Sequence, residues 1–191
     1  SNEEVIYKEK TAKLFYLKYK LESSEQFILV ATTRPETIFG DTAVAVNPND
    51  NRYKKLVGKK LIVPLVNRVV PIIGDKSVDS EFGTGCLKVT PAHSEKDFEI
   101  GIRNNLDIID IFNDDGSLND YGMHYKSLDR FSVRKKIITE LDEKGLLDRS
   151  EDYSHTIAVS ERTSCVVEPK LSTQWFVKMK KLSKPALELV L

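Results

Sequence analysis

The chain has 191 residues, and its 29 basic and 29 acidic side chains give a formal net charge of zero at pH 7. This length is enough to bury a full hydrophobic core, and a single domain is the natural expectation. The balanced charge argues against a protein that holds nucleic acid by itself, because such proteins are usually basic. No apolar stretch approaches the ~18 residues of a membrane-spanning helix, so we predict no membrane segment.

The two cysteines, Cys86 and Cys165, are far apart, and neither belongs to a Cys-x-x-Cys pair. Isolated cysteines of this kind favour reduced thiols in a cytoplasmic protein over a disulfide framework. The three histidines are also scattered along the chain. We therefore predict no structural zinc and no metal in the functional site.

The first part of the chain predicts strands joined by short turns. Apolar residues alternate with mainly polar ones over residues 15–21, which predicts a half-buried strand. Residues 22–25 predict a turn into the apolar run 27–31, a predicted buried strand, so these two strands make a hairpin. Further predicted elements are a strand at 42–46, a short helix at 50–56 and a second hairpin of strands 60–66 and 68–73.

Helices are predicted in the second half of the chain. Residues 87–90 predict a strand that stops at Pro91, and Ser94 is placed to cap a helix that runs toward Gly101. A longer helix is predicted over residues 129–144 by an apolar residue at every fourth position. The remaining predicted elements are strands at 107–112, 153–159 and 164–167 and an exposed basic tail at 178–184. The whole pattern is β-rich with interspersed helices.

The first predicted hairpin is followed by hydroxyl groups crowded beside a guanidinium group. Thr32, Thr33 and Thr37 surround Arg34, and Pro35 breaks the strand at this corner. Hydroxyl groups are common at strand ends, so this segment alone is a weak signal.

A second group of polar side chains follows the sequence Gly-Thr-Gly later in the chain. Lys88 and Thr90 lie two residues apart on one predicted strand, so both side chains can face the same pocket. His93, Ser94 and Asp97 come next, around the predicted start of a helix.

Together the two segments resemble the editing domain of the class I aminoacyl-tRNA synthetases for valine, isoleucine and leucine. That family carries Ala-Thr-Thr-Arg-Pro-Glu-Thr, as at residues 31–37, and Gly-Thr-Gly ahead of Lys-x-Thr-Pro-Ala-His and an acidic residue, as at residues 83–97. The resemblance implies a β-rich α/β fold with a β-barrel core flanked by helices. It also implies that residues 1–191 are one editing domain of a longer synthetase, with residues 1–12 and 170–191 as junctions to the catalytic body.

The valine branch of this family fits best. Residues 78–85, 160–162 and 167–179 are similar to that branch, whereas isoleucine relatives usually have Pro-Gly-His where residues 91–93 read Pro-Ala-His. The implied reaction is hydrolysis of the ester that joins threonine to the terminal adenosine of tRNA(Val). The implied partners are that tRNA end and the catalytic and anticodon-binding domains of the same polypeptide. No cofactor is implied for editing, while ATP and magnesium would serve the catalytic domain.

The resemblance also implies roles for the polar residues. Asp97 matches an acidic position that holds the α-ammonium group of the substrate by a charge-assisted hydrogen bond. Thr32 and Thr33 would orient the ester or the attacking water, and with Asp97 they form the predicted catalytic group. The predicted substrate-binding residues are Arg34, Thr37, Asp41, Lys88, Thr90, His93 and Ser94.

Three of these positions carry alternatives. His93 lies beside a proline turn, where a histidine is often a structural hydrogen-bonding group and not a general base. Asp41 can act indirectly, by supporting the residues that contact the substrate. Ser94 stands where the valine branch commonly has aspartate, so it brings no charge for recognising the substrate hydroxyl, although it can still cap the helix.

Two other interpretations stay open. The parent synthetase could serve isoleucine, or the domain could be a non-catalytic module that docks the acceptor end of tRNA. Aminoacylation by this chain is excluded on motif grounds, because it has no His-Ile-Gly-His segment and residues 178–184 resemble the Lys-Met-Ser-Lys-Ser loop only superficially.

Overall fold

The computed structural model describes residues 4–173 and 175–190, so the ends of both predicted junctions and Gln174 lie outside the described residues. Its central element is the long strand β1 (Val5–Leu21). The end of β1 pairs antiparallel with β2 (Phe27–Thr32), which confirms the predicted first hairpin. The earlier part of β1 pairs antiparallel with β7 (Leu147–Ser160), and these two form a ribbon. The prediction missed residues 5–14 because a ribbon with little burial needs no apolar alternation.

The remaining strands complete a single curled sheet. They are β3 (Ala43–Val46), β4 (Lys60–Ile62), β5 (Val69–Gly74) and β6 (Cys86–Val89). The order is β2-β1-β4-β5-β3-β6, and among the described strands only the β3–β5 pair is parallel. The sheet curls into a half-barrel, so that the end strands β2 and β6 contact each other. This confirms the predicted β-rich barrel core with flanking helices.

Helix α2 (Arg130–Glu143) covers one side of this core. Its buried residues Val133, Ile137 and Leu141 are those whose four-residue spacing predicts the helix. The Asp129 carboxylate accepts hydrogen bonds from the first turn, and Gly145 follows the helix with a positive φ of 68°, which glycine adopts at little cost. Sequence and structure agree here because both ends and the buried face are encoded locally.

Helix α1 (Glu95–Arg103) follows β6 and packs on the other side of β3 and β6. Ile100 of α1 is fully buried in a small cluster with Val89 of β6 and with Ala43 and Ala45 of β3. Burying this cluster fixes the start of α1 beside the end of β6. The polar residues of these two elements are therefore held next to each other.

Several predicted elements are wrong. Residues 50–56 form turns and no helix, and residues 107–112 and 164–167 contribute only isolated bridges to the structure. The segment before Phe112 is held by side chains, since the Ile111 N–H donates to His93 and not to a neighbouring strand.

The predicted basic tail forms helix α3 (Met179–Val190), whose described side chains are exposed. Strand β2 alternates in burial, with Phe27 half exposed, because it lies at the sheet's end.

Both cysteines are free, with Cys86 buried and Cys165 exposed. Among the described residues, no helix is long and apolar enough to cross a membrane. The same part of the chain contains no group of three or more His, Cys, Asp or Glu side chains that could hold a metal ion.

Candidate active site

A cleft of about 330 Å³ opens where β2, β6 and the start of α1 meet the ribbon. It brings together nine of the ten predicted site residues, which come from two segments more than fifty residues apart. They are Thr32, Thr33, Arg34, Thr37, Lys88, Thr90, His93, Ser94 and Asp97. The tenth, Asp41, is fully buried and contacts two of the others from behind the cleft.

The corner after β2 is built from its own hydroxyl groups. The backbone N–H of Arg34 donates to Thr32 Oγ1 at 3.0 Å, and Thr37 Oγ1 donates to the Arg34 carbonyl at 2.9 Å. The Arg34 guanidinium donates to the His93 carbonyl at 2.9 Å and so joins the two segments. Thr33 forms no side-chain hydrogen bond within the described residues, which leaves its hydroxyl group for a ligand in the cleft.

A buried ion pair forms the floor of the cleft. Lys88 Nζ donates to Asp41 Oδ1 at 2.8 Å and to Thr90 Oγ1 at 2.5 Å. Thr90 Oγ1 in turn donates to Asp41 Oδ1 at 2.7 Å, and the Tyr19 hydroxyl donates to Asp41 Oδ2 at 2.6 Å. Burial together with this hydrogen bond raises the pKa of Tyr19 well above its usual range, so it stays a donor.

The Lys88 ammonium group has one proton that this network does not use. An ammonium group carries three protons, and two of those on Lys88 are used by Asp41 and Thr90. Lys88 also lines the cleft, so its third proton is placed to bind an acceptor atom there. Asp41 therefore positions the ammonium group, and Lys88 can contact a ligand.

Asp97 lies in the first turn of α1, next to Thr90 of this network. Its Oδ2 accepts a hydrogen bond from the Thr90 N–H at 2.9 Å, while Oδ1 has no hydrogen-bond partner within the described residues. Burial raises the pKa of Asp97, although Lys88 and the Thr90 N–H act in the opposite direction. A buried carboxylate with one unused oxygen atom is suited to bind a cationic group from a ligand.

Ser94 and His93 have structural contacts in this site. Ser94 Oγ accepts from the Asp97 N–H at 3.3 Å and caps α1, as its position in the sequence predicts. His93 is 1% exposed, and its Nε2 accepts from the Ile111 N–H at 3.1 Å. Burial lowers the pKa of His93 to about 4, so the ring is neutral near pH 7. Because Nε2 is occupied by a backbone donor, His93 fits the structural alternative better than a general base.

The structure adds residues that the sequence analysis did not assign to the site. Leu14, Phe82, Tyr153 and His155 also line the cleft. Phe82 directly precedes the Gly-Thr-Gly sequence, and its position next to this motif could have indicated that it belongs to the site. Tyr153 and His155 come from β7, and no local pattern points from that strand to this cleft.

Glu168 was also missed as a contact of Arg34. Its carboxylate forms ion pairs with Arg34 and with Arg130, the latter at 3.3 Å. Glu36, fully buried, pairs with Arg134 through two hydrogen bonds of 2.5 and 2.8 Å. The buried charges around Arg34 are therefore compensated, as burial of charge requires. The partners of Arg34 and Glu36 lie about a hundred residues or more away in the sequence, so no local pattern records them.

Comparison with known proteins identifies relatives of the chain. No family model matches it. It is 57% identical over 191 residues to the valine–tRNA ligase of Christiangramia forsetii, and 53% identical over 190 residues to that of Thermotoga maritima. Each alignment covers 100% of this chain but 22% of the relative, so the chain spans about a fifth of the length of these curated relatives.

A solved structure shares the fold. The LeuRS of Agrobacterium radiobacter K84, in a ternary complex of LeuRS, tRNA and LeuAMS, superposes with a TM-score of 0.58 at 20% identity. The match covers 81% of this chain and 21% of the LeuRS chain. The chain is therefore similar over its whole length to part of the valine–tRNA ligases, and it has the fold of the editing domain of a class I aminoacyl-tRNA synthetase. Among these enzymes it is most like the valine–tRNA ligases, as the sequence motifs predict.

Proposed function

We propose that this domain hydrolyses the ester of threonyl-tRNA(Val), within a parent enzyme that joins valine to tRNA(Val) using ATP. The observation that carries the proposal is that the Asp97 carboxylate, with one oxygen atom unused within the described residues, lines the same cleft of about 330 Å³ as the Lys88 ammonium group. Clefts of this size hold small ligands. The positive Lys88 ammonium group matches the carbonyl oxygen or the hydroxyl group of the threonyl ester. The negative Asp97 carboxylate matches the α-ammonium group of the same ester.

The chemistry follows from these groups. Oδ1 of Asp97 binds the α-ammonium group and fixes the ester beside the corner after β2. The hydroxyl groups of Thr32 and Thr33 orient a water molecule toward the ester carbonyl carbon. Attack by the water oxygen forms the new C–O bond and breaks the bond to the ribose oxygen. One proton of the water passes to that ribose oxygen, which leaves as the free hydroxyl group of the tRNA end, and threonine is released as its carboxylate with loss of the other proton to solvent. No side chain of the chain serves as a nucleophile in this scheme.

Selectivity follows from hydrogen bonding. Threonine and valine are nearly isosteric, so an apolar activation pocket rejects threonine only weakly, as valine-specific synthetases themselves illustrate. A second site that binds the hydroxyl group rejects valine because its own buried polar groups stay unpaired. On the floor of this cleft, the third proton of Lys88 is the group that valine leaves unpaired, whereas the Thr90 hydroxyl is already bound by Lys88 and Asp41. Ser94 remains engaged in capping α1 and brings no charge.

The test compares two esters on the same tRNA. We expect this chain to hydrolyse threonyl-tRNA(Val) much faster than valyl-tRNA(Val), with folded Asp97→Ala protein as the inactive control. The ester remaining over time is measured at equal enzyme concentration. Equal rates on both esters contradict valine editing, and faster hydrolysis of valyl-tRNA(Ile) would assign the domain to an isoleucine enzyme. Binding of tRNA without hydrolysis of any ester would identify a docking module.

A further inference from the structure

Glu168 lies close to the cleft without lining it. It belongs to the chain segment that follows β7, and we call residues 166–170 the post-β7 segment. The Glu168 carboxylate forms an ion pair with Arg34, whose side chain does line the cleft. Any influence of Glu168 on a ligand in the cleft therefore passes through Arg34.

The post-β7 segment is bound to the rest of the fold on both sides of Glu168. Before it, the Val167 N–H donates to the Ala158 carbonyl of β7 at 2.9 Å. After it, Lys170 Nζ donates to the Phe112 carbonyl at 3.2 Å. Because the segment is bound before and after Glu168, the fold sets where this carboxylate lies.

The Glu168 carboxylate joins two guanidinium groups. Its Oε1 pairs with Arg34, and its Oε2 pairs with Arg130 Nε at 3.3 Å. The Glu168 side chain is 16% exposed, so solvent screens these ion pairs only in part. Arg130 is the first residue of α2, a helix with a capped start and a buried face, so it gives the carboxylate a fixed partner.

Arg34 is held at two points by groups of different charge. Its Nη1 donates to the His93 carbonyl at 2.9 Å, while Glu168 pairs with Nη2. Glu36 is farther away, at 3.8 Å from Arg34 Nε, and it already accepts two hydrogen bonds from Arg134. Contacts to two different nitrogen atoms fix the orientation of a planar guanidinium group. Without Glu168, the close contact that remains is one hydrogen bond to a neutral carbonyl group.

We propose that Glu168 is a positioning residue, which holds the Arg34 guanidinium group in the orientation that binds the ester in the cleft. Glu168 itself touches no substrate and exchanges no proton. The proposal rests on the proposed function, since it takes Arg34 to be a substrate-binding residue. It adds to the site a carboxylate that lies 134 residues from Arg34 in the sequence.

Steady-state kinetics on threonyl-tRNA(Val) separate positioning from a purely structural role. Glu168→Gln keeps the shape of the side chain and removes its charge, so we expect KM to rise roughly tenfold while kcat stays within about twofold of the parent value. A purely structural role would lower the folded fraction, which reduces the apparent kcat and leaves KM unchanged. Glu161→Gln, at an exposed glutamate that does not line the cleft, is the matched control and should keep both constants.

A double-mutant cycle tests whether Glu168 acts through Arg34. In the Arg34→Ala background, Glu168→Gln should raise KM no further, because the group that it positions is absent. Arg34→Ala alone should raise KM at least as much as Glu168→Gln does. An additional rise of KM in the double variant would mean that Glu168 contacts the substrate by another route.

NMR of the Arg34 side chain gives a readout that does not depend on activity. The Nη1 and Nη2 groups of an arginine that is bound on both sides give separate signals, whereas a freely rotating guanidinium group gives one averaged signal. We expect separate Arg34 signals in the unchanged chain and one averaged signal in Glu168→Gln. Their absence from the spectrum of Arg34→Ala assigns them.

Three results would overturn the inference. They are a parent KM in Glu168→Gln, an equal rise of KM on adding Glu168→Gln to Arg34→Ala, and separate Arg34 signals that persist in Glu168→Gln. If the unchanged chain hydrolyses no ester, the proposed function fails, while the NMR signals still decide whether Glu168 orients Arg34.

Discussion

Asp41 and Asp97 are both buried beside the cleft, and the structure uses them in opposite ways. Asp41 is fully buried, and both of its oxygen atoms accept hydrogen bonds, from Lys88, Thr90 and Tyr19. Asp97 is also buried, but within the described residues only its Oδ2 accepts a hydrogen bond, from the Thr90 N–H. The first carboxylate stabilises the site, whereas the second keeps an oxygen atom for a ligand. Burial alone therefore does not identify a functional carboxylate, and the number of satisfied oxygen atoms distinguishes the two.

The largest effect is expected from Asp41→Ala. Removing this carboxylate leaves the Lys88 ammonium group buried without its counter-charge, which should lower the free energy of unfolding by about 3–5 kcal/mol. Urea unfolding measures this loss. The matched control is the double variant Asp41→Leu, Lys88→Met, which removes both charges and should recover most of it. An Asp41→Ala protein with the parent's unfolding midpoint would contradict a stabilising ion pair.

Asp97→Ala should instead reduce activity. The charge-assisted bond to the ammonium group is worth about 1.5–3 kcal/mol, so deacylation of threonyl-tRNA(Val) should fall roughly ten- to hundredfold. The free energy of unfolding should fall by about 1–3 kcal/mol, less than for Asp41→Ala, because the buried Thr90 N–H loses its acceptor while no charge is left unpaired. Asp97→Glu should be nearly as inactive, because the longer side chain moves its carboxylate away from Thr90. A folded Asp97→Ala protein with the parent rate would show that this carboxylate merely begins a helix.

The stability of Asp97→Asn, measured over a range of pH values, further tests the contrast between Asp41 and Asp97. A carboxyl group whose pKa is raised by folding favours the folded state at low pH, and this contribution is lost as the pH rises through the raised pKa. The asparagine variant titrates no group there and can still accept from the Thr90 N–H. Its stability relative to the parent should therefore increase between about pH 3.5, below the usual pKa of aspartate, and pH 7.

Urea unfolding at several pH values measures this difference. Asp41→Asn, which weakens a satisfied ion pair, is the control and should destabilise the domain at pH 7. A relative stability of Asp97→Asn that decreases toward pH 7 would contradict the raised pKa.

The smallest effect is expected from Ser94, which supports Asp97 without taking part in the chemistry. Ser94→Ala removes the helix cap and should cost about 1 kcal/mol in the free energy of unfolding. Ser94→Asp keeps a capping oxygen atom and should retain stability. Deacylation by the alanine variant should stay within a few-fold of the parent rate. A loss as large as that of Asp97→Ala would instead place Ser94 in contact with the substrate.

Sequence alone determined the features that depend on neighbouring residues. The hairpin of β1 and β2, the strand β6, the Ser94 cap and helix α2 all follow from local periodicity and capping side chains. The motifs also indicated nine residues that the structure gathers in one cleft. Their roles in catalysis and binding remain predictions that the variants above test.

Only the tertiary structure decided which of these groups are free to act. Asp41, His93 and Arg34 are bound by Lys88, Ile111 and Glu168, respectively. These partners lie between 18 and 134 residues away in the sequence. The ribbon pairs residues 5–17 of β1 with residues 147–160 of β7 and so brings Tyr153 and His155 to the cleft. Such contacts follow from chain topology and burial, and no local pattern of residues records them.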